Sequence, residues 1–241
     1  MNKAQRILIA GDPHGDFDAV HKAAPADAVI FLGDQMPKGT LTEELGPVLA
    51  AKSWFLLGNH DSDAPGFIVG HMGEMWRRNL NGRVVNFDGL RIAGLGGVFR
   101  GRVWNPGQGS TPEMLKFRTR EDMREHTPKR QHFLEGVPLK HWTSIFPEDF
   151  EALVAQGPAD VLVCHEAPEC HKHGFAAIGD LARALGVKTI VHGHHHVSSI
   201  GTIDGGITVY GVGRGGLLRG GVFSGQRPGA RGVPGTPVTD A

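Results

Sequence analysis

The stretch TIVHGHHHVSSIG, residues 189–201, places four of the chain's fourteen histidines at positions 192, 194, 195 and 196. Four other short stretches carry matching chemistry: Asp12-Pro13-His14, Gly33-Asp34, Gly58-Asn59-His60-Asp61 and His165. Imidazole, carboxylate and amide donors together suit borderline divalent cations such as Mn, Fe, Zn, Co or Ni. Without thiolates, a structural zinc knuckle is disfavoured. The donors outnumber what one tetrahedral ion needs. One shared carboxylate could bridge two ions about 3.5–4 Å apart, the spacing of two-metal hydrolytic sites.

Something must bring these distant stretches together. Each follows a β-rich apolar run: 6–14, 27–34, 53–61, 160–166 and 188–196. Helix-compatible segments lie between several of them, at 16–24, 41–51, 64–78, 148–156 and 175–185. This alternation predicts α/β layering. The runs are nearly continuous in apolar residues, as strands covered on both faces are. Segments 83–97 and 198–213 read as hairpins, turning at Asp88-Gly89 and at Asp204-Gly205-Gly206. Together they predict a two-sheet β-sandwich flanked by helices. In α/β sheets, ligands bind beyond the carboxyl ends of the strands, which is where all five donor stretches fall. Alone, Asp12 and Asp34 would read as helix caps, the role left to Asp16 and Asp18.

The ordered series D-x-H (12–14), G-D (33–34), G-N-H-D (58–61), H (165) and G-H-x-H (193–196) resembles the calcineurin-like metallophosphoesterases. The resemblance spans residues 7–196 and implies a metallophosphoesterase fold with two divalent metal ions, manganese favoured. It implies Asp12, His14 and His196 on one ion and Asp34 bridging. Asn59, His165 and His194 complete the second. His60 would be the catalytic histidine, with Asp61 orienting it. The implied reaction is hydrolysis of a phosphomono- or diester by a metal-bound hydroxide attacking in line. His60 would stabilise the transition state or protonate the leaving oxygen. His194 and His196, alternating along extended backbone, would face the site. His195 would point away, and His192 would pack in its strand. His171 and His173 fit either a substrate contact or a solvated loop.

Composition narrows the setting. The chain has 241 residues and zero formal net charge, so no global field draws it to nucleic acid or anionic membrane. No stretch approaches a membrane span, and the N-terminal apolar run is too short for a signal core. Two cysteines without a CxxC pair fit a reducing compartment, and the expected location is cytoplasmic. The expected domain is 1–218, followed by a Gly/Pro-rich tail, 219–241, without fixed structure. Within the domain, 98–147 carries nine Lys or Arg against five acids and reads as a basic insertion or cap. Arg100, Arg102 and Lys38 are the candidate substrate contacts, because arginine makes bidentate bonds to phosphate.

The segments GDQMPKG and GNHD depart from the protein serine/threonine phosphatases of this superfamily. Those have an arginine after GD, and GNHE at the third motif. A small nucleotide-type phosphoester is therefore the favoured substrate. A protein phosphatase, a nuclease contacting nucleic acid through the insertion, or a metal-bound scaffold binding a partner there are the alternatives.

Overall fold

The computed structural model describes residues 6–23 and 25–224. Residues 225–241, most of the expected tail, lie outside the described residues. The first half contains β1 (Ile7–Ala10), α1 (Asp18–Lys22), β2 (Ala28–Phe31), α2 (Leu41–Ala50), β3 (Ser53–Phe55) and α3 (Pro65–Gly70). A hairpin follows, β4 (Arg83–Phe87) and β5 (Leu90–Leu95). The insertion holds β6 (Trp104–Asn105), β7 (Met114–Leu115) and α4 (Arg120–Glu125). The second half contains α5 (Pro147–Ala155), β8 (Val161–Cys164), α6 (Ala176–Leu185) and β9 (Thr189–His192). It closes with β10 (Ser199–Ile203), β11 (Ile207–Gly211) and β12 (Leu217–Arg219).

Two sheets carry the site, in the orders β12-β1-β2-β3 and β10-β11-β9-β8-β5-β4. The strands that end in donor residues run parallel within each sheet: β1, β2 and β3 in one, β8 and β9 in the other. Their apolar runs are continuous because alternate residues serve different layers. Ile7, Ile9, Ile30, Val161, Val163 and Val191 fill the space between the sheets. Leu8, Val29 and Phe31 pack outward with Leu41 and Leu45 of α2, and Leu162 and Ile190 pack with Ile178 and Leu181 of α6. Both expected hairpins form. Asp88 and Gly89 take φ values of 55° and 98°, the left-handed pair that a two-residue turn needs.

Two expectations shift. The helix anticipated over 64–78 breaks at Gly73 (φ 75°), so α3 is followed by a separate 3-10 turn, Gly73–Arg78. The tail boundary also moves, because Arg219 is the last residue of β12 and pairs with Leu8, and Gly220–Ser224 form a 3-10 turn.

The insertion is a packed subdomain, with Val103, Met123, Val137 and Phe146 as its own small core. Four of its nine basic side chains are paired with carboxylates. Arg118 pairs with Glu151, Arg124 with Glu121 and Lys140 with Asp63. Arg120 is clamped by Glu148 and Asp149 and lies over the Phe146 ring. Asp149, 4 % exposed, also accepts from the Phe146 amide and the Asn81 side chain, so it ties insertion to sandwich. Removing the Arg120 cation leaves a buried carboxylate without its counter-charge. Arg120→Ala should therefore lower unfolding free energy by about 2–3 kcal/mol, below the full cost of breaking a buried pair because Arg120 is partly solvated. Urea denaturation with an unchanged slope checks this, and a loss under about 0.5 kcal/mol would contradict it.

Candidate metal centre

The donor stretches converge where β1, β2, β3, β8 and β9 end. The His14 and Gly15 amides donate to the Asp34 and Gln35 carbonyls, which locks the first two loops together. Five of the seven expected ligands have left-handed backbone: Asp12 (φ 36°), His14 (49°), Asp34 (54°), His194 (70°) and His196 (59°). Such residues cost on the order of 1–3 kcal/mol each and persist where the surroundings over-determine them. The extended alternation expected for His194 and His196 is therefore corrected: β9 stops at His192, and each ligand is turned in by its own left-handed step. Glycine supplies the clearance. A Cβ on Gly193 would lie 2.6 Å from Asp12 Oδ1, and one on Gly58 would collide with Asp34 Oδ1 and the His165 ring.

Asp12, Asp34 and His165 have no solvent exposure. Nδ1 of His165 donates to the Leu32 carbonyl at 2.8 Å. Burial holds the ring neutral, its pKa lowered to about 3, so Nε2 carries a lone pair. That lone pair faces Asn59 Oδ1 at 3.0 Å and Asp34 Oδ2 at 3.6 Å, with only a long 3.4 Å approach from the Asn59 amide. Nε2 of His14 lies 3.0 Å from Nε2 of His196 and 3.7 Å from Asp34 Oδ2. Two clusters thus share Asp34: His14–Asp34–His196 and Asp12–Asp34–His165. Both oxygens of Asp12 and Oδ2 of Asp34 are buried without a hydrogen-bond partner. Buried carboxylate oxygens without partners, set beside imidazole nitrogens, fit a divalent cation.

Asp34 Oδ1 accepts from the His60 amide at 2.8 Å, which pins the start of the one-turn helix Asn59–Ser62. The expected partnership of His60 with Asp61 is corrected here. The Asp61 carboxylate is buried and accepts from the amides of Asp34, Met36 and Gly58, each at 2.8 Å, so both oxygens are spent bracing two loops. The ring of His60 instead bonds Asp63 through Nδ1 at 2.6 Å, and Lys140 of the insertion holds the other Asp63 oxygen at 2.7 Å. Burial raises the Asp63 pKa, but the bonds from Lys140 and His60 outweigh it and hold the carboxyl below its usual range. Sequence reasoning missed Asp63. Its signal was the i,i+3 spacing from His60 on a helical turn.

The remaining candidates divide. Arg100 is partly buried and donates through Nη1 to the Thr143 carbonyl at 2.6 Å and to Ser144 Oγ at 3.2 Å, with no carboxylate partner. Burial lowers its pKa to about 10, and Asp63, Asp34 and Glu166 are the charges that act on it. Arg102 is exposed, with His141 the neighbour that feels its charge. Lys38 is exposed beside Asp16, Asp18 and Glu44. His192 is packed in β9 as expected. His195 does not point away: its ring stacks on His171 at 3.7 Å, and its buried Nε2 lies 3.9 Å from Glu166 Oε1. None of the metal-centre residues lines the cavity of about 360 Å³ beneath Trp76, Trp142 and Gly97, so donor geometry rather than concavity marks the chemistry.

This geometry has counterparts. The calcineurin-like phosphoesterase profile matches residues 5–198, and the chain belongs to that family. It is a hydrolase acting on phosphoester bonds, from a family that uses divalent metal ions. An uncharacterized protein of Haemophilus influenzae is 45% identical over 195 residues, covering 79% of this chain and 83% of its own. The TT1561 crystal structure from Thermus thermophilus matches with TM-score 0.56 at 18% identity, covering 90% of this chain and 95% of that one. Phosphopantetheinyl hydrolase from Mycobacterium tuberculosis matches with TM-score 0.53 at 14% identity, covering 95% and 98%. At these identities the two structures share the fold. No helix among the described residues is long and apolar enough to cross a membrane.

The charge pattern makes stability depend on pH and metal together. Burial, and next the neighbouring Asp34 carboxylate, raise the Asp12 pKa from 3.8 to about 8. The metal-free folded state therefore keeps a proton that the unfolded chain loses above about pH 4. The stability from this group is complete below that pH and is lost as pH rises toward 8. A bound cation replaces the proton and removes the penalty. The gap in Tm between manganese-loaded and chelated protein should widen from about pH 6 to about pH 8. Scanning calorimetry checks this, and a gap that narrows over that range would contradict it.

Proposed function

We propose that the protein hydrolyses small phosphomono- or diesters, nucleotide-type substrates favoured, at a two-ion centre. Asp12, His14 and His196 would hold one ion, Asn59, His165 and His194 the other, and Asp34 would bridge. Manganese is the favoured metal. The observation that carries this reading is the set of buried, unpartnered oxygens, both of Asp12 and Oδ2 of Asp34, beside the ring nitrogens of His14, His196 and His165. When bound, the ions supply Lewis acidity, drawing charge from phosphoryl oxygens and lowering the pKa of water toward neutrality.

The chain's own residues do the rest. The His60 ring lies on the rim, its centroid 5.3 Å from that of His14. Its Nδ1–H is held by Asp63, which fixes the ring and leaves Nε2 to give a proton to the departing oxygen. Arg100 is a partly buried cation anchored by neutral oxygens, so its remaining N–H groups can bind the phosphoryl group without first leaving a carboxylate. Arg102 and Lys38 play lesser parts because both are exposed. Cys164 and Cys170 are both free thiols, in keeping with a cytoplasmic setting.

A panel of a nucleoside monophosphate, an acyclic diester and a cyclic nucleotide, each with several divalent metals, tests the reading. His60→Ala should lower kcat by about 10²–10⁴-fold, the range for loss of a general acid. Asp63→Asn should lower kcat by about tenfold with little change in KM, and Arg100→Met should act mainly through KM. A folded, metal-loaded protein inactive on the whole panel would overturn the proposal.

A further inference from the structure

Histidines 171, 173 and 195 have no part in the reading above, yet with His194 and His165 they form an unbroken file. Ring centroids are 5.8 Å apart from His173 to His171, 3.7 Å from His171 to His195, 4.7 Å from His195 to His194 and 5.0 Å from His194 to His165. The file starts at exposed His173 and ends at fully buried His165. Midway, the buried Nε2 of His195 has no hydrogen-bond partner and faces Glu166, a carboxylate only 3 % exposed, at 3.9 Å. Ligand atoms of Glu166, His194 and His195 all lie within 4.8 Å of one another. One carboxylate and two imidazoles are the donor set of open zinc sites. His194, expected on the second ion of the pair, falls in this cluster and not in either cluster around Asp34.

We propose that Glu166, His194 and His195 form a staging site that holds a borderline divalent cation on its way from solvent to the second position of the two-ion centre. The proposal rests on the two-ion reading given above. The second position is lined by His165 and Asp34, which have no solvent exposure, so an incoming hydrated ion must trade its waters for protein donors in steps. His171 and His195 offer the first imidazoles, and Glu166 supplies the negative charge that draws the ion inward. A neutral imidazole has one lone pair, so His194 serves one position at a time. As the ion advances, His194 turns from Glu166 and His195 toward Asn59, His165 and Asp34. Staging and final positions therefore exclude each other, and the saturated chain holds two ions.

Metal uptake by the full chain tests this. Metal-free protein is mixed with Co(II) in a stopped-flow spectrometer, and bound ions are counted by mass spectrometry. Wild type should bind two ions, and the rate of the second phase should saturate with Co(II) concentration, as a filling intermediate requires. His195→Ala and Glu166→Gln should still bind two ions. Their second phase should slow by about tenfold, the scale on which supporting groups tune a metal site, and become linear in Co(II). His195 is partly exposed, so its variant keeps the fold; a matching melting curve verifies it. Two bound ions with wild-type kinetics in both variants would overturn the staging site alone. A wild-type count of one would overturn the two-ion reading and the staging site with it.

Discussion

Asp12 and Asp34 are fully buried carboxylates whose facing oxygens have no donor, and the rest of the structure answers to that fact. Burial raises both pKa values, and for Asp12 the neighbouring Asp34 carboxylate adds to it. The metal-free fold keeps the pair by holding a proton on Asp12, and a cation between the carboxylates would take that proton's place. The rings of His165 and His194 cannot supply positive charge themselves. Burial lowers the pKa of His165 and His194 to about 3, so they remain neutral and offer lone pairs. An arrangement of anions and lone pairs is complete only with a metal, and the sandwich holds it open in advance.

Holding it open takes bracing from behind. The Asp61 carboxylate gathers the amides of Asp34, Met36 and Gly58, which fastens the loop after β2 to the loop after β3. Its own pKa is raised to about 7, by burial first and then by Asp34. The brace is thus coupled to the centre it supports. Left-handed steps at Asp12, His14, Asp34, His194 and His196 turn the chain sharply after each strand, so side chains from two sheets meet at close range. Strain of this kind is tolerable because the strands on either side are anchored in the inter-sheet core.

Much of this was legible in the chain because strand ends are local. An apolar run followed by Gly and a donor predicts both the strand and the place of its ligand, and five such runs predicted the meeting point. Legibility failed where partners are chosen by backbone direction. Asp61 and Asp63 both follow His60 closely, and only the sense of the 3-10 turn decides which one reaches the ring. Periodicity likewise put His195 outside, because it assumed the strand continued past His192; the left-handed step at His194 turns it toward Glu166 instead. Charge counting misjudged the insertion, since composition does not show that Arg118, Arg120, Arg124 and Lys140 meet carboxylates.

That last point alters what the insertion contributes. A cap of unpaired cations would attract any polyanion, nucleic acid included, through a field that salt screens. Instead, three of its cations, Arg118, Arg120 and Lys140, are paired with carboxylates outside it, and Lys140 and Arg100 lie toward the centre. Lys140 bonds Asp63, which bonds the His60 ring, so that ring is oriented from the insertion's side. Arg100 keeps a guanidinium without a carboxylate partner in the same neighbourhood. In the proposed reading these two groups would meet a phosphoryl group at short range. The compact phosphoester proposed above rests on these two placed groups and not on the insertion's composition.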